Sequence, residues 1–518
     1  MCGICGIIDY SDVPAEETVL WTMTQTLRHR GPDHLGVVVR GAAGLGHTRL
    51  SVLDLSEAAH QPMQSEDGLV TLTYNGELYN FKSLRQSLEN EGYAFKSRSD
   101  TEVVLQAYRH WGIECLRRFN GMFALAIWDA RSETLHLARD RFGIKPLYYS
   151  SFPSGLVFGS EIKAILASNR IARQINLAGL HEFLYYGNAL GPNTLFDGVH
   201  KLLPGQYLTL TRQGRVVTGY WNVEELQPID DEIDQATATT RELLEQAIRE
   251  HLVSDVPVGV FLSGGIDSSC ITAIASKHYP GRLQTFSAGF DFDQGVNELS
   301  NARKIAEHFG TEHHELHVEG TDLAELIERL VRCHDEPFSD AANIPLYLLC
   351  GKLNGSPKVI LQGDGGDEIF AGYRRYNVLS FRHFWRWTSQ IGLALCPLVF
   401  RGPNSFRYSR LFQAVGQADP ARRMALLLTT ETERDPPTRI LSDQWRDALE
   451  PYDPFLRYRE YNQRLGHLDP VQRMLHTDTG IILPDTFLEK VDKSTMAHGI
   501  EVRVPLLDRR LTDYVMGL

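Results

Sequence analysis

This sequence predicts an α/β chain in two parts, and three observations carry that prediction. The chain has 518 residues, more than one hydrophobic core serves, so at least two domains are expected. The first half is a series of short alternating segments, among them GVVVR, GLGHTRLSVLDL and LVTLTYNGELYNF, that read as strands of a β-rich sandwich. The second half alternates strand and helix through LQTFSAGF, NARKIAEHFG, HHELHV, DLAELIERLVRCH and KVILQG, the pattern of a doubly wound parallel sheet.

Composition narrows the class. Hydrophobic residues make up 43% and charged residues 23%, the proportions of a soluble globular protein. The net charge of −13 argues against a nucleic-acid partner or an anionic membrane. No apolar run is long enough to span a bilayer; the longest, Ile391 to Phe400, is short and contains Pro397. The N-terminus lacks the basic stretch of a signal peptide. Seven scattered cysteines make no disulfide framework, so a cytoplasmic location is expected.

Taken in order, the chain opens with Met1-Cys2-Gly3. Removal of Met1 leaves Cys2 with a nucleophile and a base on one residue, since an α-amine of pKa about 7.7–8.0 can take the thiol proton. A small buried Cys on a strand is the plain alternative. Cys5 reads as core, because a single C-x-x-C is weak for zinc. Ala15 to Arg28 has helical spacing. Arg49 is a cation inside an apolar alternation. Asn75-Gly76 precedes Glu77 in YNGELYN and on its own reads as a type I′ turn. Ser99-Asp100-Thr101-Glu102 has the form of an N-cap for the helix that follows. Segment 201–221 reads as closing strands around the turn Pro204-Gly205, and the acidic, proline-broken 222–235 as a linker. A helix then feeds the next strand.

That strand, Val256 to Leu262, ends in Ser263-Gly264-Gly265 and is followed by the helix opened by Asp267-Ser268-Ser269. Strand, glycine turn and helix put free N–H groups and a positive helix end in front of a phosphate, with Asp267 placed to hold a metal. A Walker A motif is absent: the only Gly-Lys pair, Gly351-Lys352, is followed by Leu353. Two further strand ends are polar, Phe286-Ser287 and GDGGDEIFAGY at 363–373, where Asp364 and Asp367 follow KVILQ. A solvated turn is the alternative there. His308, His313, His314 and His317 are not in a metal-ligand spacing. Residues 381–474 are helical and irregular, with no chemistry to derive. Lys490, Lys493 and Arg503 are spaced to present cations, although lysines on an amphipathic helix are usually solvated.

Family resemblance adds roles to these residues. RHRGPD (28–33), HTRLS (47–51), YNGELYN (74–80), SDTE (99–102), NGMFALAIWD (120–129), ARDRFGIKPLYY (138–149) and FGSEIKAIL (158–166), behind Cys2, resemble the class II glutamine amidotransferase domain. The resemblance implies an αββα N-terminal nucleophile sandwich over residues 2–213. In it Cys2 attacks the glutamine amide, Asn75 and Gly76 form the oxyanion hole, and Arg49, Glu77 and Asp100 hold the amino-acid end. SGGIDSS resembles the pyrophosphate loop of the N-type ATP pyrophosphatases. Together with GDGGDEIFAGY and DKSTMAHGIEVRVPLLD (492–508), the whole chain resembles the glutamine-hydrolysing asparagine synthetase family.

That resemblance implies a closing strand and linker at 214–235 and an ATP-pyrophosphatase domain at 236–518. It implies glutamine, ATP and aspartate as substrates and Mg2+ as cofactor, with an acyl-adenylate attacked by ammonia delivered through an internal tunnel, and a homodimer. Ser263, Gly264, Gly265, Ser268 and Ser269 would cradle pyrophosphate; Leu262, Phe286, Ser287, Gln362 and Gly363 would line the nucleotide. Asp267 and Asp367 would hold Mg2+, Asp364 would lie near the acceptor, and Lys493 would stabilise the forming adenylate. Three departures stand out: Asp364 where many members have Glu, Gln362 where Ser is more frequent, and an end at Leu518 where members continue with more helices, so the second domain reads as C-terminally short. A paralogue amidating a sugar acid or peptide precursor is the alternative within the class; a catalytically idle nucleotide-binding paralogue and a plain glutaminase are the alternatives outside it.

Overall fold

A computed structural model of the protein describes residues 2–11, 16–290, 298–318, 322–380, 389, 392, 403–429 and 436–518. Met1, most of the apolar run 391–400 and parts of 381–474 therefore lie outside the described residues.

The first half forms two antiparallel sheets. Its strands are β1 (Gly3–Asp9), β2 (His34–Arg40), β3 (Ala43–Arg49), β4 (Met63–Gln64), β5 (Val70–Leu78), β6 (Gly121–Asp129), β7 (Thr134–Arg139), β8 (Tyr148–Phe152), β9 (Gly155–Gly159), β10 (Val199–Lys201), β11 (Gln206–Thr211) and β12 (Gly214–Gly219). One sheet runs β10-β8-β9-β1-β3-β2 and the other β12-β11-β7-β6-β5-β4. Successive side chains of a strand point to opposite faces. In β1, Ile4 and Ile8 meet Ala126, Trp128 and Leu137 of the other sheet, whereas Cys5 and Ile7 pack under Leu20 and Met23 of the helix Glu17–Gln25. On the far side, Leu72, Tyr74 and Leu78 of β5 pack against the helices Phe81–Asn90 and Asp100–Trp111. The layers are αββα, as expected for an N-terminal nucleophile sandwich.

Asn75 and Gly76 do not form a turn. They lie inside β5, paired with Ala124 and Phe123 of β6. Ser99 does cap the helix Asp100–Trp111, its side chain accepting from the Glu102 N–H.

The second half is a parallel sheet of β13 (Val258–Phe261), β14 (Gln284–Phe290), β15 (Glu312–Val318), β16 (Val359–Leu361) and β17 (Glu501–Arg503), in the order β15-β14-β13-β16-β17. Both faces are covered. Val258, Val260, Val359 and Leu361 pack on one side with Ile248 and Ile271; Phe261, Phe286, Ile360 and Val502 pack on the other with Leu346 and Leu349. The strand order reverses between β13 and β16, which opens a crevice at their carboxyl ends. The strand β17 and the helix Asn343–Leu353 are elements the sequence reading did not resolve.

The helix Glu489–Met496 seats the two halves together. It follows a widened turn, Leu483–Leu488, that contains Pro484. Asp485, Glu489 and Asp492 recur at helical spacing and face the first half. Glu489 accepts from Tyr148 Oη at 2.7 Å and Lys201 Nζ at 2.8 Å; Asp492 accepts from Arg30 at 2.7 Å and pairs with Lys145 at 3.4 Å.

Candidate active sites

The first site sits where β1 begins. Cys2 shares a face with Ile4, so it lies at the mouth of the gap between the sheets. The Cys2 N–H donates to Asn75 Oδ1 at 2.9 Å. The other end of that amide, Nδ2, is buried with no partner, a fixed donor beside the nucleophile. An unsatisfied buried donor costs about 1–3 kcal/mol, so its natural complement is an oxyanion that appears during reaction. Gly76 makes the close approach possible: a Cβ there would fall 2.3 Å from the Met122 carbonyl. Burial pushes the Cys2 thiol up, while the Leu50 N–H and Arg49 act the other way.

Around this pair is a cavity of about 30 Å³ lined by Arg49, Tyr74, Gly76, Glu77, Asp100 and Glu501 among others. Arg49 is held by the carbonyls of Leu53, Asp54 and Ser56, which aim it. Asp100 accepts from Tyr74 Oη and the Leu78 N–H, both at 3.0 Å, yet burial raises its carboxyl to about 6. Glu77 is raised as well, by burial, against the pull of Arg503. A cation and two carboxylates around a small hole match the two ends of an amino acid. Arg30, which the sequence reading did not single out, donates from Nε to the Cys2 carbonyl at 3.1 Å and fixes the strand start.

The second site fills the crevice of the parallel sheet, with a volume of about 490 Å³. Leu262, Ser263, Gly265, Asp267 and Ser268 line it from the β13 side, Phe286 and Ser287 from β14, and Gln362, Gly363, Asp364 and Asp367 from β16. Gly265 heads the helix Ile266–His278 without any side-chain cap, so its first N–H groups stay open to an anion. Gly264 has φ +81°, which favours glycine, and supports the loop rather than lining the cavity; Ser269 bonds back to the Gly265 carbonyl. Asp267 is raised by burial and then by the nearby Asp367. Two carboxylates that repel each other across a cavity fit a divalent ion that takes its other ligands from phosphate and water, as Mg2+ does. Among the described residues no group of three or more His, Cys, Asp or Glu side chains could hold a metal.

The three cations of this late segment, Lys490, Lys493 and Arg503, are all buried, against the solvation usual for helix lysines, and they go to different places. Lys490 lines the second cavity, 3.5 Å from Asp340, and moderates the burial-raised Asp364 carboxyl. Lys493 does not line it. Its Nζ stands 4.0 Å from Asp335 and 4.9 Å from the centre of the Tyr148 ring, at the seam between the halves. Lys493 thus lies outside the lining of that cavity, on the helix face that docks on the first half. Arg503 reaches Glu77, behind the lining of the first cavity. Asp364 Oδ2 and Gln362 Oε1 are buried without donors beside the second cavity.

A small pocket beside a cysteine and a large crevice at an open helix start fit a glutamine-dependent amidotransferase coupled to an ATP-using synthetase. Residues 1–221 match the family described as glutamine amidotransferase domain, and residues 239–518 the family described as asparagine synthase. The chain is 33% identical over 522 residues to asparagine synthetase [glutamine-hydrolyzing] 1 of Bacillus subtilis (strain 168), covering 99% of this chain and 80% of that protein. It is 32% identical over 542 residues to asparagine synthetase [glutamine-hydrolyzing] 3 of the same organism, covering 100% and 81%. Amidase chyE of Penicillium rubens is 32% identical over 527 residues, covering 94% and 76%. The chain belongs to the glutamine-hydrolysing asparagine synthetase family.

Proposed function

We propose that the protein converts aspartate to asparagine, with glutamine as nitrogen donor and ATP cleaved to AMP and pyrophosphate. The observation that carries the glutaminase half is the unpartnered Asn75 Nδ2 beside Cys2. Once Met1 is removed, the Cys2 amine takes the thiol proton, the sulfur attacks the glutamine side-chain carbonyl, and Asn75 Nδ2 with the Gly76 N–H receives the oxyanion. Each such donor is worth about 10²–10³ in rate. The amine returns its proton to the leaving ammonia, and water releases glutamate from the thioester. Glu77 and Asp100 hold the glutamine ammonium and Arg49 its carboxylate.

In the second cavity the open N–H groups after Gly265 and the hydroxyls of Ser263 and Ser268 receive the β- and γ-phosphates. Asp267 and Asp367 are the residues that would hold Mg2+, which supplies charge neutralisation to the phosphates when bound. The acceptor carboxylate displaces pyrophosphate at the α-phosphorus, and ammonia then displaces AMP from the acyl carbon. Aspartate as acceptor is supported by the named relatives and by the side chains around Asp364. An ammonium satisfies the donorless Asp364 Oδ2 and Gln362 Oε1, and a second carboxylate faces Lys490. Among the described residues the cysteines Cys2, Cys5, Cys115, Cys270, Cys333 and Cys350 are free thiols, which supports a reducing cytoplasm.

The test is pyrophosphate release by the purified protein with Mg–ATP and ammonium, with and without aspartate. Aspartate-dependent release matched mole for mole by asparagine is expected. Release with another carboxylate and none with aspartate would replace the acceptor and keep the chemistry. That second reading is favoured by Asp364, shorter than the glutamate frequent in the family.

A further inference from the structure

Arg503 belongs to β17 of the synthetase half, yet its side chain ends against Glu77, a lining residue of the glutaminase pocket. It is fully buried. Nε donates to Glu501 Oε1 at 2.7 Å, and Nη1 donates to the carbonyls of His251 at 2.8 Å and Val253 at 2.7 Å. These three anchors all lie in the synthetase half, so the guanidinium is fixed before it meets the glutaminase. Nη2 then stands 3.1 Å from Glu77 Oε2, in ion-pair contact without the alignment of a hydrogen bond, so charge carries this last contact. At its other end, the Arg503 main-chain carbonyl accepts from the Gln362 N–H at 3.0 Å, on the wall of the nucleotide cavity. One residue therefore contacts a lining residue of each site.

Glu77 has a reason to need it. Asp100, Glu501 and Glu77 are buried together, and a cluster of carboxylates away from water holds protons unless cations compensate. A second link runs the same way. The Asp54 N–H donates to Asp255 Oδ2 at 2.7 Å and the Asp255 N–H to the Val52 carbonyl at 3.0 Å, so the loop whose carbonyls aim Arg49 also rests on the synthetase half. Tyr79, two residues beyond Glu77, stacks on His251 with ring centres 3.5 Å apart.

We propose that Arg503 is a positioning residue for glutamine: it pairs with Glu77 and orients it, so the synthetase half completes the amino-acid site of the glutaminase half. The inference rests on the reading of Glu77 as a carboxylate that binds the glutamine ammonium. Glu77 is faced by Arg503 and Glu501 from β17, Asp100 from its helix, Tyr74 and Tyr79 along its own strand and just beyond, Arg49 at the end of β3, and Cys2 just before β1 with the N-terminal amine, which also lowers it. Of these Arg503 is the side chain that draws the proton off.

The experiment is glutaminase kinetics across pH on the full chain, for the native protein, Glu77→Gln, Arg503→Met and Arg503→Lys. Glu77→Gln is expected to raise KM for glutamine about tenfold or more, the effect of about 1.4 kcal/mol. Arg503→Met is expected to raise it to a similar extent with kcat changed less than about threefold, and to move the acid limb of kcat/KM up by about one pH unit. Arg503→Lys, which keeps the charge and loses the fork, should recover part of both. If Glu77→Gln raises KM while Arg503→Met leaves KM and the acid limb at native values, the inference fails and the Glu77 reading stands. If Glu77→Gln leaves KM unchanged, both fail. A loss in kcat alone also overturns it. Should Arg503→Met not fold, Arg503→Lys decides: a raised KM with a shifted limb supports the inference, and native values refute it.

Discussion

The glutamine pocket and the nucleotide cavity are built from opposite kinds of backbone. The pocket lies along strands: Cys2 precedes β1, and Asn75, Gly76 and Glu77 are consecutive residues of β5, locked by pairing to β6. Its free space is about 30 Å³, so its polar groups already stand where a small substrate needs them. The cavity lies beyond strand ends, in loops after β13 and β16, with about 490 Å³ of space and two groups, Gln362 Oε1 and Asp364 Oδ2, still without partners. A site on strands fixes geometry and gives up room. A site on loops keeps room for ATP and an acceptor, and its charges, Asp267 beside Asp367 above all, are balanced only when ligands arrive. Single substitutions should therefore fail differently in the two places.

The largest effect expected is at Cys2. Cys2→Ala should abolish glutamine hydrolysis while synthesis from added ammonium continues, measured as glutamate and pyrophosphate in parallel assays. Loss of both activities would break the picture of two independent sites. Next is Asp267→Ala, which should lower ammonium-driven pyrophosphate release about a hundredfold or more, since a bound cation supplies several kcal/mol of charge stabilisation. Glutamine hydrolysis should persist. Pyrophosphate release at the native rate would reject the metal role of Asp267.

The same contrast explains what could be read in the sequence. SGGIDSS announces itself because a phosphate loop is local backbone chemistry, and its neighbours along the chain are its neighbours in space. The pairing of Cys2 with Asn75 joins residues 73 positions apart, and only the order of family motifs pointed to it. Asn75-Gly76 taken alone reads as a turn; the pairing of β5 with β6 overrides that preference. The destinations of Lys490, Lys493 and Arg503 were illegible because each depends on which face of a late segment meets the first half. Two signals were available. Asp485, Glu489 and Asp492 at helical spacing marked a face needing cations, and alternation in IEVRV marked β17 as a strand with Glu501 and Arg503 on one side.

Glycine substitutions sharpen the comparison at a smaller scale. A Cβ at Gly76 would lie 2.3 Å from the Met122 carbonyl and 2.8 Å from Phe123 Cα, both backbone, which cannot swing aside. Gly76→Ala should therefore cost about 1–3 kcal/mol and lower the thermal midpoint of the glutaminase half. It should also reduce glutamine hydrolysis, because β5 must shift and carry Asn75 with it. At Gly265 the nearest atom to a Cβ is Ser263 Oγ at 3.4 Å, an ordinary contact. Gly265→Ala should leave the thermal midpoint unchanged. Equal destabilisation by the two substitutions, read by calorimetry, would contradict the division between a strand-built and a loop-built site.

The smallest effect expected is in the pH dependence, and it too should separate the sites. Asp100 is buried against Tyr74 and the Leu78 N–H, and burial raises its carboxyl from the usual carboxylate range to about 6. A raised carboxyl is neutral below that value and charged above it, so its attraction for the glutamine ammonium is present at pH 7 and fades as pH falls through about 6. Between pH 7 and pH 5 a single such group loses about tenfold in its ionised fraction. The kcat/KM for glutamine should fall by about that factor, through KM. Asp100 and Glu77 titrate as neighbours, so the limb belongs to the pair. A limb at pH 4, the position of an exposed carboxylate, would show that water reaches this pocket freely and that its strands do not enclose the substrate.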